Sequence, residues 1–196
     1  QEVENMIVSS ADLSNSDKTD GFIKGGARNL VKGDFSGKFL QAGVAELTMA
    51  AICNGIALHG GIHVACATFF VFSDYMKPAF RLSALMQMPV KYIWTHDAFR
   101  VGEDGPTHQP IEHEAQLRLL EKMQNHAGKM SMLALRPADA AETSVAWKMA
   151  MENTETPTAL VLSRQNINDL PAATDRYTEA LKAEKGAYIV QKNGEN

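Results

Sequence analysis

A chain of 196 residues, 45% hydrophobic and 21% charged, has room for one domain and enough apolar material to bury a core. Its net charge of −4, without a lysine or arginine cluster, argues against a nucleic-acid or anionic-membrane binder. The longest apolar run, Val64 to Phe72, is far shorter than the ~18 residues of a membrane span. Cys53 and Cys66 stand alone in apolar surroundings and read as buried thiols in a reducing cytoplasm. The chain opens at Gln1 with no signal segment and stops in a polar stretch, so it reads as a piece of a longer protein.

Met6 to Ser9 is a short apolar run, hence a buried strand, followed by Ser10-Ala11-Asp12-Leu13. Asp12 has two readings: a ligand-facing residue at a strand's carboxyl end, or a turn cap. The polar stretch from Ser14 to Ser36 is expected to be a long loop. Phe39 to Gln41 predicts a second strand. Val44 to His59 carries apolar residues at 44, 47, 51, 52, 56 and 58, a helical spacing, with Glu46 in the first turn. An acid there is commonly no more than compensation of the helix dipole.

Ile62 to Thr68 predicts the third strand. Phe69, Phe72 and Tyr75, spaced three apart, share one face of the next segment, a stripe that usually means core packing. A helix runs on to Met88, then Val90 to Trp94 is a strand ending in Thr95-His96-Asp97. The next segment, Gly102 to Pro110, reads GEDGPTHQP and contains almost nothing apolar. Its Gly105-Pro106 turn leaves Glu103, Asp104 and His108 projecting from a loop. An amphipathic helix from Glu112 to Asn125 comes after it. His108 and His113, five apart with Pro110 between them, do not read as a metal pair, and no metal-ligand set is assigned in this chain.

Met130 to Leu135 predicts a strand, Pro137 to Glu152 a helix, and Thr158 to Leu162 a strand ending in Ser163-Arg164-Gln165-Asn166. Arg164 reads as either a surface ion pair or an anion clamp. After Leu170-Pro171 the composition turns polar, with Ala187 to Val190 as the possible start of another strand. The alternation of strands and helices predicts an α/β fold: a doubly wound, mostly parallel sheet with helices on both faces. Residues 1–171 form the domain, and 172–196 a linker and the start of a following one. Polar groups fall after successive strands, where such sheets gather ligands.

Several motifs taken together resemble the transketolase family. Ser10-Ala11-Asp12-Leu13, Gly43-Val44-Ala45-Glu46, Leu58-His59-Gly60-Gly61, Thr95-His96-Asp97, GEDGPTHQP and Leu162-Ser163-Arg164-Gln165-Asn166 occur in family order, from about Ser10 to Asn166. GEDGPTHQP is the most specific of them. The resemblance implies the central, pyrimidine-binding domain of a thiamine diphosphate enzyme of the pentose phosphate pathway, which moves a two-carbon ketol unit between sugar phosphates. It implies that Glu46 holds N1′ of the aminopyrimidine, that Phe69, Phe72 and Tyr75 wall that ring, and that Asp12 approaches the thiazolium. It further implies that Asp104 takes the ketose C2 hydroxyl, that His108 meets the reacting oxygens, and that His96, Ser16 and Arg164 hold the phosphate. Glu46, His108 and His96 would then be the catalytic set.

The resemblance is incomplete in two ways. Ala45-Glu46-Leu47-Thr48-Met49 departs from the family's Arg-Glu-His/Phe-Gly-Met, and the segment Asn29 to Lys38 has no assigned role. The family also binds the diphosphate and its divalent metal, Mg or Ca, on a separate domain through a Gly-Asp-Gly…Asn motif, and Gly33-Asp34-Phe35 is not that motif. The chain would therefore hold half a site and need a diphosphate-binding domain or companion subunit, as homodimer or heteromer. Two other readings are a non-catalytic scaffold module and a related ketol transferase such as dihydroxyacetone synthase.

Overall fold

Strands buried on both faces must be apolar throughout, and the longest strand shows this: six of seven residues in β3 (His63–Phe69) are buried. The computed structural model describes residues 3–191. With β1 (Met6–Ser10), β2 (Phe39–Gln41), β4 (Lys91–Thr95), β5 (Leu133–Leu135) and β6 (Thr158–Val161), β3 forms one six-stranded sheet in the order β2-β1-β3-β4-β6-β5. Every pairing is parallel, so all six carboxyl ends share one edge. The order reverses between β1 and β3, which makes the crevice there a topological switch point.

The pleat sends alternate residues to opposite faces. Val64, Cys66, Tyr92 and Trp94 enter a core with α3 (Glu46–His59), α4 (Ser73–Leu85) and α5 (His113–Lys122), through Met49, Cys53, Met76, Phe80 and Leu117. Ala65, Ala67, Ile93 and Leu160 enter the other core with Ala146 of α6 (Ala140–Glu152), and Phe22 and Ile23 of α2 (Asp20–Lys24) pack against it. Doubly wound is therefore the observed architecture. In the first core, Asn54 donates to the Ala79 carbonyl at 2.9 Å, and Ser83 bridges Asn54 to the Tyr92 hydroxyl at 2.5 and 2.6 Å. Burial pushes that phenol well above its ordinary value, so it stays a neutral partner. Cys53 and Cys66 are free and buried, and burial pushes the Cys66 thiol up as well.

Three expectations change. The segment expected to be a loop contains α1 (Ser14–Asp17) and α2. Helices this short show no periodicity, and α2 is held instead by the Lys24–Asp20 pair at 2.6 Å and its apolar face. The expected apolar face of α3 is largely outside: Val44 before it and Leu47, Ile52 and Leu58 within it are exposed, while Met49, Ala50 and Cys53 are buried. This helix is apolar nearly all round, and its smaller residues let it approach the sheet. Ala187 to Val190 forms no strand. Segment 29–38, which had no assigned role, folds back onto β2. Arg28 O accepts from Lys38 N and Phe39 N at 2.9 and 3.0 Å, and a Cβ on Gly37 would collide with the Asn29 carbonyl.

Candidate active site at the strand ends

Three strand ends supply one connected cluster. Phe69, last in β3, stacks on His96, just past β4, with ring centroids 3.6 Å apart. A short 3₁₀ turn, Phe70–Phe72, then carries the chain outward, so Phe72 stacks on Phe69 at 5.8 Å and Tyr75 on Phe72 at 6.0 Å. The expected core stripe is thus an aromatic ladder from the interior to solvent: Phe69 is 7% exposed and Tyr75 62%. The i, i+3, i+6 spacing is kept across a change of element, and that change turns a core stripe into a wall.

The loop after β4 closes over this wall. His108 sits 5.8 Å from Phe69 and 5.3 Å from Phe72, ring to ring, with Thr107 Oγ1 2.9 Å from its Nδ1. Asp104 Oδ2 lies 3.8 Å from His96 Nε2 and 2.9 Å from Nε of Arg164, which comes after β6. The arginine contact is close but poorly aligned, so this buried oxygen has no hydrogen bond. Arg164 Nη2 donates to Glu103 Oε1 at 2.9 Å. His96, Ala98 and Arg100 all have left-handed backbones, φ 60, 76 and 54, which are uncommon outside glycine and cluster at functional sites.

His96 is buried, and burial is the main cause that lowers its imidazole from 6.5 to about 4. Asp104 and Asp97 oppose that shift, while Arg164 and His108 add to it. The ring is therefore neutral near pH 7, one nitrogen beside Thr95 Oγ1 at 3.0 Å and the other facing Asp104.

The other expected residues stand apart from this cluster. Asp12, with φ 64, and Ser16 line a cleft of about 520 Å³ beyond β1, shared with Asp20, Lys24 and Gln41. Glu46 opens α3, past the carboxyl end of β2. It is 7% exposed, no side-chain hydrogen bond or ion pair among the described residues reaches its carboxylate, and its oxygens are not sealed from solvent. All ten candidates therefore lie at one edge of the sheet. Seven of them (Phe69, Phe72, Tyr75, His96, Asp104, His108 and Arg164) form a continuous chain of contacts.

Reading by residue missed Asp17, which shapes the cleft. Its buried carboxylate accepts from Ser10 Oγ at 2.6 Å and from Thr19 N and Oγ1 at 2.9 and 2.6 Å, pinning the turn that presents Asp12 and Ser16. Burial raises its proton affinity, and those three donors oppose the rise. The signal available was Asp17-x-Thr19, an Asx-turn spacing. Also missed was Asp97, which Arg136 holds at 2.9 Å while its other oxygen accepts from Phe99 N at 3.1 Å.

The model of the transketolase pyrimidine-binding domain matches residues 1–169. This chain belongs to the transketolase family. The transketolase of Halalkalibacterium halodurans is 50% identical over 96% of this chain, and that of Geobacillus stearothermophilus 49% over 98%. The chain spans about a quarter of the length of these transketolases, 26% and 27%. A Pichia stipitis transketolase structure, in complex with xylulose 5-phosphate, superposes with TM-score 0.83 at 39% identity over 98% of this chain and 27% of that one. A split-gene transketolase described as an inactive β4 tetramer superposes with TM-score 0.62 at 29% identity, over 86% of this chain and 48% of that one. The transketolase fold therefore accounts for the parallel sheet and its one-sided distribution of polar groups.

Proposed function

We propose that this chain supplies the pyrimidine-binding half of a transketolase active site and transfers a two-carbon ketol unit between sugar phosphates once joined to a diphosphate-binding domain. The observation that carries the proposal is Glu46: it is only 7% exposed, and its carboxylate, unpaired with any side chain, keeps an open face that an outside donor can fill. The aminopyrimidine of thiamine diphosphate is such a donor, and the aromatic ladder of Phe69, Phe72 and Tyr75 offers a flat ring a wall to lie against. The bound cofactor supplies the electron sink for carbon–carbon cleavage.

This chain's residues do the rest. Glu46 holds the ring and its proton at N1′, and Asp12 flanks the thiazolium side. Asp104 orients the ketose C2 hydroxyl, and His108, at the wall, contacts the reacting oxygens and moves protons. Arg164, His96 and Ser16 hold the phosphate. The arginine fork suits that anion, and the neutral His96 ring can accept or donate without adding charge.

The divalent metal, Mg or Ca, and the diphosphate belong to the companion domain or subunit in this reading. The exposed apolar outer side of α3, with Leu58 60% exposed and Val44 just before it 79%, suits burial against that partner. Residues 1–171 are the pyrimidine-binding domain, and 172–196 lead towards a following one. The assembly is a cytoplasmic homodimer or heteromer. No helix among the described residues is long and apolar enough to cross a membrane.

The test is ketol transfer from xylulose 5-phosphate to ribose 5-phosphate with thiamine diphosphate and magnesium, for this chain alone and mixed with a chain carrying the diphosphate-binding domain. Turnover is expected only in the mixture, and Glu46→Ala is expected to lower it by roughly 10²- to 10⁴-fold. A mixture that assembles and binds cofactor without turning over would overturn the proposal and favour a scaffold role.

A further inference from the structure

Beside the 3₁₀ turn Phe70–Phe72, a second group of chemistry-bearing residues meets where two helices begin. His113, the first residue of α5, is buried beneath Phe70, with ring centroids 5.5 Å apart. Its Nε2 lies 3.2 Å from the Val71 carbonyl and 3.2 Å from Oδ2 of Asp74, in the first turn of α4. The one N–H of a neutral imidazole is committed there. The lone pair then sits on Nδ1, which is buried, lacks any hydrogen-bond partner and faces the Glu112 carboxylate, Oε2, at 3.8 Å.

Two acceptors facing one another with nothing between them are an unfavourable arrangement that a cation resolves. One ligand atom from each of Asp74, Glu112 and His113 lies within 4.8 Å of the other two. Among the described residues no lysine or arginine pairs with either carboxylate. The nearby Lys77 donates instead to Gln116 at 2.6 Å.

We infer that Nδ1 of His113 and the Glu112 carboxylate, joined by Asp74 once its exposed side chain turns away from the Nε2 edge of the ring, form a binding site for a divalent transition-metal ion of the zinc class. One imidazole with two carboxylates suits zinc or cobalt better than magnesium, which prefers oxygen alone. The Val71 carbonyl, by taking the Nε2 proton, does what the outer partner of a metal-bound histidine does: it fixes the tautomer and the ring plane. Both carboxylates are exposed, at 47% and 62% for the side chains, so the ion has an entry path. Bound there, the ion ties the start of α4, which carries Tyr75, to the start of α5, just beyond the GEDGPTHQP loop. This site is separate from the diphosphate metal of the proposed reaction and does not depend on that reading. His108 takes no part in it. Sequence spacing concealed the site because Asp74 comes from a distant helix.

The test is titration of the whole chain with cobalt(II), read by its visible d–d absorption and by displacement with zinc, without any activity assay. Wild type is expected to bind one ion per chain at this site. Glu112→Gln and Asp74→Asn, both on exposed side chains and therefore compatible with the fold, are each expected to weaken it on the order of 10- to 100-fold. His113→Gln should abolish it, and His126→Ala, at an exposed histidine elsewhere, should leave it unchanged. No binding by wild type at millimolar cobalt, or equal binding by wild type and both carboxylate variants, would overturn the inference. The second pattern would mean that other surface histidines hold the ion.

Discussion

Arg176 and Arg164 each reach two carboxylates, one beneath α6 and the other at the mouth of the strand-end cluster. Arg176 opens α7 (Arg176–Ala180) and lies 2.5 Å from Asp139 and 2.7 Å from Glu142, with side-chain exposures of 11%, 0% and 11%. It also donates to the Tyr188 hydroxyl at 2.6 Å, and that hydroxyl donates to Glu142 at 2.5 Å. Asp139 in turn caps α6 by accepting from Glu142 N at 2.8 Å and takes Leu170 N at 3.0 Å. Burial acts to lower the Arg176 guanidinium, but its bonds to Asp139, Tyr188 and Glu142 prevail and raise it. Arg164 differs at each point. It is 31% exposed, Glu103 is 80% exposed, and Asp104 Oδ2 beside it has no well-formed hydrogen bond. A closed ion cluster fastens a chain, whereas an open one leaves its charges within reach of solvent.

Breaking the closed cluster should have the largest effect. Arg176→Ala leaves two carboxylates buried without a counter-charge, and the expected loss is ~3–5 kcal/mol of unfolding free energy, measured by urea titration. A wild-type midpoint in that variant would mean that the cluster is not what fastens residues 169–188 to α6.

The next effect belongs to His96, at the heart of the open cluster. Its folded value is about 4 and its unfolded value near 6.5. As pH falls through that interval the unfolded chain takes up a proton that the folded ring refuses. Stability should therefore decline on acidification from about pH 6.5 to 4, by ~3 kcal/mol at most. Burial lowers His63 too and tilts stability the same way, so the informative quantity is the difference between wild type and His96→Gln. An identical slope in both would remove His96 from the account.

Arg164→Met should barely change stability, by less than ~1 kcal/mol, because its pairs face solvent. In the complemented enzyme it should raise KM for the ketose phosphate by roughly 10- to 100-fold, the value of a lost charge-assisted contact. Its kcat should be little altered. A fall in kcat at constant KM would move Arg164 from anion holder to the reacting centre.

The frame of the fold was legible because parallel strands are apolar on both faces. The runs at Met6, Phe39, Ile62, Val90, Met130 and Thr158 each overlap an observed strand, three of them ending one residue short of it. The strand-end rule likewise puts Asp12, Glu46, His96 and Arg164 on one edge without reference to any contact. What stayed hidden needed three dimensions. That Arg164 meets Asp104 and Glu103 comes from β6 lying beside β4, a neighbour relation that linear order does not contain. Tyr75 shares its spacing with Phe69 yet ends in solvent, because a 3₁₀ turn separates strand from helix. On α3 the hydrophobic pattern selected Leu47 and Leu58, whereas packing selected Met49, Ala50 and Cys53. A helix apolar on every side does not announce which side faces inward.

The position of β6 in the sheet bears on how the chain is made. β4 is completed at Thr95, but the neighbour that covers its outer side spans Thr158–Val161 and inserts between β4 and β5. During synthesis, the hydrogen-bonding edge of Lys91-Tyr92-Ile93-Trp94-Thr95 is bare while more than sixty further residues are added. A bare apolar edge is a template for foreign strands, and parallel pairing across such a gap is slow. A ribosome stalled anywhere before Thr158 would thus carry a product prone to clumping, and chaperone demand should drop sharply once β6 emerges.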